Sequence, residues 1–503
     1  MPVSAKSLAL LILTLGLAVR TQAGTSDLWG AHGERWNAAG RLPDFSFAGY
    51  HCGEAPLPDV PRGMSVKDFG AKGDGQTDDT AAFLAALARA RGAIEIPPGR
   101  YVITDILVIK YSGQVLRGAG ADKTVLFFPK PLQEIKPQWS ATTEGRKTSE
   151  YSWAGGLVWF QGDFGGRVLA EVAAAATRGG NTLRLATVEN LHTGQRIEVF
   201  EHDLPDNSLA TNLYSGDPGN TTQLLGTTHA SLVCRITKIN GDEISLDRPL
   251  RFDVGLQWRP QIRAFEPSVT EAGVENLRFE FPGAPYGGHF TEAGYNAVAF
   301  TGVADCWARN LVISNADSGF FPGGVFCSIQ NVTFESTRPP DAALHCTGHH
   351  GLNIEGNDNL FTGFDYRTRF VHDLSVDHCA SGNVIAGGKG VDLCLDHHER
   401  APCENLFTDI DAGAGTRLWT CGGGAALGKH CGARGTFWNI RAARPQKYPP
   451  ANFGPASMNL VAVQTDLPST KNLHGRWFEA IPPDEISPRD LHAAQLARRL
   501  ATR

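Results

Sequence analysis

Gly351-Leu-Asn-Ile-Glu355, Asp373-Leu-Ser-Val-Asp-His378, Asp392-Leu-Cys-Leu-Asp-His397 and Arg417-Leu-Trp-Thr-Cys421 are four versions of one short alternating strand, set one after another along the chain. Between them runs a second series that opens on asparagine: Asn310-Leu-Val-Ile, Asn331-Val-Thr-Phe, Asn359-Leu-Phe-Thr, Asn383-Val-Ile-Ala and Asn405-Leu-Phe-Thr, at successive spacings of 21, 28, 24 and 22 residues. A period near 20 residues that contains two or three strands describes one coil of a parallel β-solenoid, whose coils bury apolar side chains only by stacking on one another. The predicted fold is all-β, a right-handed parallel β-helix.

Alternation assigns faces. Leu352, Ile354, Leu374, Val376, Leu393 and Leu395 share a parity and point inward, so the opposite parity faces solvent. This predicts one outward column of Glu355, Asp377 and Asp396 and a second of Gly351, Asp373, Asp392 and Arg417. Stacked neighbours lie about 4.8 Å apart, and a ladder of carboxylates at that spacing repels itself and raises at least one pKa. The Asn series reads as a structural ladder that satisfies turn backbone groups.

The remaining chain divides around these coils. Lys6, the apolar run Leu8 to Val19 and Thr21-Gln22-Ala23 have the order of a secretory leader over residues 1–23, which predicts a secreted or periplasmic protein. Residues 24–63 read as an irregular arm and 64–165 as a cap with the first coils. A small inserted β-domain is predicted at 166–255, with a hairpin turn at Asn240-Gly241, overhanging a cleft. Coils at 256–445 carry that cleft, and a tail at 446–503 ends in a charged helix from Pro488. A net charge of −6 on 503 residues argues against a nucleic-acid partner, and no later apolar run is long enough for membrane insertion. Of the ten cysteines, Cys421 and Cys431 bracket a Gly-rich loop and are the expected disulfide, while Cys306, Cys327 and Cys346 fit stacked thiols. No paired C-x-x-C or H-E-x-x-H motif is present, so a zinc site is not expected.

Val66-Lys-Asp-Phe-Gly-Ala-Lys-Gly-Asp-Gly-Gln-Thr-Asp-Asp-Thr-Ala-Ala-Phe83, followed by Ile94-Glu-Ile-Pro-Pro-Gly-Arg-Tyr-Val102 and Val115-Leu-Arg-Gly-Ala-Gly120, resembles the opening of the pectate-lyase-superfamily β-helix proteins, a group with rhamnogalacturonase-like and epimerase-like members. The resemblance is close over about residues 64–128 and one of pattern over 270–445. It implies that the amphipathic helix Asp78 to Arg91, burying Phe83, Leu84 and Leu87, caps the solenoid, and that Asp74, Asp78 and Asp79 are turn and cap residues. The same opening occurs in phage tailspikes with other tasks, so it speaks for the fold more than the function. The Asn-Thr-Asp, Gly-Asp-Asp and Arg-x-Lys set of polygalacturonases is absent.

Two chemistries compete for the polar residues of the central coils. Hydrolysis of a glycosidic bond needs one carboxylic acid and one carboxylate, which Asp377 and Asp396, with Glu355 beside them, would supply. Elimination on a uronate needs a base, for which Lys389, His398 or an arginine is the candidate, and cations or bound calcium to neutralise the substrate carboxylate, with Asp373, Asp377, Asp392 and Asp396 as oxygen ligands. Calcium is expected only in that case, and no other cofactor. Arg367, Arg369, Asp373, Asp392, His378, His397, Glu399, Arg417 and Trp419 are the candidate substrate contacts; His397 shares the inward parity and is either buried or just past a strand end. The expected partner is a polysaccharide, acidic if elimination is the reaction. Hydrolysis is placed first, elimination second, and a non-catalytic glycan-binding solenoid third.

Overall fold

The computed structural model describes residues 24–502; the predicted leader lies outside them. The chain winds as a parallel β-helix with two principal sheets. A short sheet stacks seven parallel strands, among them Asn296–Ala304, Ser318–Val325, Gly348–Ile354, Phe370–Val376 and Leu395–His397. A long sheet stacks the alternate strands, including Trp307–Ser314, Ser328–Glu335, Leu360–Tyr366, Val384–Gly390, Leu406–Asp411 and Thr436–Arg441. Leu352, Leu374 and Leu395 are register partners, as are Ile354 and Val376, and all five lie in one continuous core with Phe334, Phe361 and Phe407. Burial of such side chains, roughly 1.5–3 kcal/mol each, is what holds coil to coil.

The asparagines divide into two ladders. Asn310 and Asn331 sit mid-strand at φ 55° and 56° on the long sheet, each side-chain amide donating to the asparagine of the coil before. Gly363, Gly387, Asp409 and Asn439 repeat the left-handed backbone at the matching place in later coils, the residue types that tolerate αL most easily. Asn359, Asn383 and Asn405 form the second ladder, buried, their side-chain oxygens accepting in turn from the backbone N–H groups of Cys327, Asn359 and Asn383.

The amphipathic helix spans Thr80–Arg89 and buries Ala82, Phe83, Ala86 and Leu87. Leu84, expected to be buried, is 38% exposed because it falls on the solvent side of the helix. Asp74 accepts from Gln76 and Thr77, and Asp79 from Lys72 and Gly73. The N-terminal arm is less irregular in role than in outline. Leu28, Trp29, Leu42 and Phe45 pack with the C-terminal helix Leu491–Ala501 against Val384, Leu406, Trp438 and Val461, sealing the outer face of the long sheet.

Between Gly165–Glu171 and Gln261–Phe265 the solenoid gives way to a six-stranded antiparallel sheet with its own core around Ile197, Val199, Leu232 and Ile262. Arg248 and Arg251 tie this insertion to the coils by donating to Asp358, all three buried. The ten cysteines are free thiols, so the expected Cys421–Cys431 disulfide does not form; the Cys421 sulfur instead accepts from the His397 N–H. Cys306 and Cys327 stack on successive coils, whereas Cys346 lies in the loop anchored by Asp341.

Candidate active site

A cleft of about 600 Å3 lies on the outer side of the short sheet. Its floor comes from the coils through Asn353, Glu355, Asp377, His378, His398 and Arg400. Its walls are the hairpin of Trp139–Ala141 and Lys147–Ser149, the segment bearing His289 and Phe290, and Gly422 to Gly424. The insertion contributes no lining residue, so the overhang predicted for it belongs to that hairpin instead.

The register differs from the predicted column by two residues. Asn353, Ser375 and Asp396 form one row, which sets His398, not Asp396, beside Asp377 in the row that begins at Glu355. Asp396 is wholly buried and fully engaged: Ser375 Oγ donates to Oδ2 at 2.7 Å, Gly422 N–H to Oδ1 at 2.8 Å, and His398 Nδ1 lies 2.8 Å from Oδ2. It cannot touch substrate, and the predicted Asp377/Asp396 acid and base pair is not assembled. Burial would raise the Asp396 pKa, but His398 and His372 hold it far below the usual carboxylate range. Burial would lower His398, and Asp396 outweighs it, lifting the imidazole to about 9. Asp396 thus orients His398 and leaves its Nε2 for the cleft. Gly422 is required here, since a Cβ would stand 2.3 Å from His398 Cε1 and 2.4 Å from His372 Cε1.

Beyond His398 the backbone is left-handed at three successive residues, Glu399, Arg400 and Ala401, at φ 68°, 60° and 60°, a conformation that costs energy outside glycine and clusters at functional sites. It carries Arg400 back over the cleft, where its guanidinium contacts His378 Nε2. His378 Nδ1 lies 3.1 Å from Asp377 Oδ2 and 3.5 Å from Glu355 Oε1. Burial lowers the His378 pKa, while Asp377 and Glu355 outweigh it and push it up to about 10. The Arg400 donor opposes this, because Nε2 must offer a lone pair to accept it; the contact geometry keeps the ring neutral, with its proton on Nδ1 facing the carboxylates. Glu399 lies behind Gly423, and burial pushes it up to about 7.

Several predicted contacts stand elsewhere. Lys389 is on the long sheet, exposed between Asp365 and Asp411, because its strand belongs to the other side of the coil. Arg367 pairs with Asp365 and Glu335 on that same side. Arg369 is engaged by Asp392, which also accepts from Thr416. Arg417 pairs with buried Asp373 and donates to the carbonyls of Phe370, Val371 and Asp392, so it braces a turn. These aspartates are each committed to a cation or backbone N–H and do not converge with Asp377 and Asp396 into a set of calcium ligands. His397 is packed inside among Phe407, Phe437 and Phe453. Trp419 packs edge-on against Phe437 and Phe453 and donates to the Lys447 carbonyl, away from the cleft. The cleft tryptophan is Trp153, edge-on to Phe290.

Sequence reasoning places His349 and His350 at the entry to the first carboxylate coil, where they could line the cleft, and offers His398 as a base, but it does not join them with His289 and His372 into the cluster of imidazoles found here. His289, His349, His350, His372 and His398 lie with ring centroids 4.1–5.6 Å apart for the contacting pairs. Burial lowers His289 to about 4 and His349 to about 3, and drives His350 and His372 well below the ordinary value. One signal was readable: His350 and His372 are 22 residues apart, one coil, and are register partners.

Residues 63–131 match the family described as Rhamnogalacturonase A/epimerase, pectate lyase-like, and the coils that follow have the architecture this opening resembles. Over that opening stretch the chain is similar to pectate-lyase-like proteins, and the fold that follows is a parallel β-helix. The chain is 37% identical over 98 residues to Alginate lyase 7 of Azotobacter vinelandii, a match that covers 17% of this chain and 11% of that protein. It is 42% identical over 66 residues to the pre-neck appendage protein of Bacillus phage B103, covering 13% of this chain and 7% of that protein. The tailspike of Pseudomonas phage phi297 superposes with a TM-score of 0.48 at 14% identity, covering 77% of this chain and 64% of that one. The matched stretches span about a tenth or less of the two curated relatives.

Proposed function

We propose that this β-helix protein cleaves an acidic polysaccharide by β-elimination at a uronate residue, with His398 as the proton-transfer group. The observation that carries this is the Asp396–His398 pair at the cleft: a buried carboxylate that orients an imidazole, with Arg400, held against His378, lining the same cleft. Arg400 binds the uronate carboxylate and withdraws charge from C5. His398 Nε2 takes the C5 proton; the C5–H electron pair becomes the C4=C5 double bond as the C4–O bond breaks, and the departing oxygen takes a proton from water in the cleft. A base lifted to about 9 has more driving force toward a carbon-bound proton than a free imidazole, at the cost of a smaller unprotonated fraction at neutral pH. Trp153 and Phe290 supply an aromatic wall for a sugar ring. The similarity to a named alginate lyase supports a polyuronate substrate over the stretch it covers, and the expected leader suits an enzyme that meets polysaccharide outside the cytoplasm.

Hydrolysis keeps one supporting observation. Glu355 and Asp377 offer oxygens within 4.8 Å of each other across His378, close to the roughly 5–5.5 Å of a retaining carboxylate pair. The two reactions separate in one experiment: incubation with a panel of polyuronates and neutral glycans while reducing ends and the ultraviolet absorbance of unsaturated uronates are followed together. Elimination produces both signals, and His398→Ala abolishes both. Reducing ends without absorbance, lost in Glu355→Gln and Asp377→Asn but kept in His398→Ala, would replace elimination by hydrolysis.

A further inference from the structure

We infer that His289, His349 and His372 form a binding site for a divalent transition cation of the zinc class at the closed end of the cleft. Each offers a ring nitrogen, and these atoms lie within 4.8 Å of one another. A tetrahedral ion with bonds of about 2.0–2.1 Å holds its nitrogen ligands about 3.4 Å apart, a closure that small side-chain rotations achieve.

Two further features point to an ion. First, no hydrogen bond of normal geometry reaches either nitrogen of His349 or of His372, though both rings are nearly inaccessible to water. Buried polar atoms left so cost about 1–3 kcal/mol each, and an ion that took one nitrogen from each ring would remove part of that cost. Second, the carboxylates stand where ligating imidazoles need them: Glu292 Oε1 is 3.6 Å from His349 Nδ1, and Asp396 Oδ2 is 3.3 Å from His372 Nδ1. Each can accept a hydrogen bond from Nδ1–H and leave Nε2 free to bind metal, the usual second contact of a metal-bound histidine. Glu292 is itself fixed by Tyr286 Oη at 2.5 Å and the Phe290 N–H at 3.2 Å.

The donor set selects the ion. Three imidazoles with no carboxylate in direct contact suit zinc, cobalt, nickel or copper and disfavour calcium and magnesium, which require oxygen. A tetrahedral ion held by three protein ligands keeps one position for water or a substrate oxygen. The site stands on the imidazole cluster and does not depend on the elimination reading.

The test titrates ZnCl2, and separately Co2+, into the full chain freed of metal by chelation, with calorimetry, thermal melts and visible absorption as readouts. One equivalent binds, the melting temperature rises, and the cobalt spectrum lacks the sulfur-to-metal charge-transfer band that the free cysteines would produce. His349→Ala, His372→Ala and His289→Ala each weaken binding by about 100-fold or more, and Glu292→Gln, which removes only an outer partner, by about 10–100-fold. His474→Ala, on an exposed turn, binds as the parent does. His398→Ala retains zinc while losing elimination, which keeps failure of the two readings apart. A folded parent protein that binds no zinc at micromolar concentration, or binding that survives the three histidine substitutions, overturns the site. Loss of zinc in His398→Ala with retention in His289→Ala would overturn this ligand set in favour of His372, Asp396 and His398.

Discussion

Asp396→Asn is the most revealing single change, because Asp396 never meets the substrate. The amide has nearly the carboxylate's shape and can still accept the Gly422 N–H through its oxygen. Its NH2 group then stands where Oδ2 had accepted from Ser375 and faced His398 Nδ1 at 2.8 Å. The serine hydroxyl can turn round, but His398 must move its proton to Nε2, the atom proposed to take the C5 proton. Stability falls by about 1.5–3 kcal/mol for the lost charged hydrogen bond. Turnover falls by about 10²- to 10⁴-fold, the range for a general base removed from action, equivalent to roughly 3–5 kcal/mol of barrier. The assay is initial-rate absorbance of unsaturated uronate product on the substrate found in the panel, with circular dichroism to show the variant folded. Because the two residues act as a unit, Asp396→Asn combined with His398→Ala is no slower than His398→Ala alone. A folded Asp396→Asn enzyme within about 3-fold of parent turnover, or losses that multiply in the double variant, would refute the dyad.

Lys389→Ala leaves turnover within about 2-fold, since its side chain projects from the long sheet beside Asp365 and Asp411; a large loss would place the cleft on the wrong side of the coil. Glu201 is buried, one oxygen accepting the Gly255 N–H and the other unpartnered, and burial pushes it up to about 8. A carboxyl raised in the folded state keeps its proton while the unfolded chain loses it near pH 4.5. Stability contributed by the protonated form is therefore lost as pH rises from about 4.5 to 8, by ~3–5 kcal/mol. Urea melts across that range should show the slope in the parent and its absence in Glu201→Gln; parallel profiles would contradict it. Asp358→Ala strands the buried guanidiniums of Arg248 and Arg251 and should destabilise by about 3–5 kcal/mol, read as a lower denaturation midpoint, whereas a shift under about 1 kcal/mol would show that the insertion is not anchored there.

The fold was legible because a β-helix writes itself locally. The alternation in Asp373-Leu-Ser-Val-Asp377 and the recurrence of Asn-Leu-Phe-Thr at 359 and 405 are present in short windows, and stacking of like coils on like follows from them. The parity of His397 and His398 was also readable, and the two rings do part, one into the phenylalanine core and one into the cleft.

What parity alone leaves open is register, and register decided the site. The length of chain between the strands Phe370–Val376 and Leu395–His397, with Val384–Gly390 inside it, sets Ser375 opposite Asp396, so a presumed pair of catalytic carboxylates became a buried aspartate serving a histidine. Unequal turns likewise sent Lys389 and Arg367 to the far side of the coil. The histidine cluster draws on residues as far apart as His289 and His398, and the cleft walls on a hairpin near residue 145 and a glycine loop near 423. Side-chain period is a property of neighbours along the chain, and the sequence by itself determined that much: strands, faces and the solenoid they build. Which faces meet across coils, and which loops close over them, depends on turn lengths and on packing between segments hundreds of residues apart, and only the tertiary structure decided it.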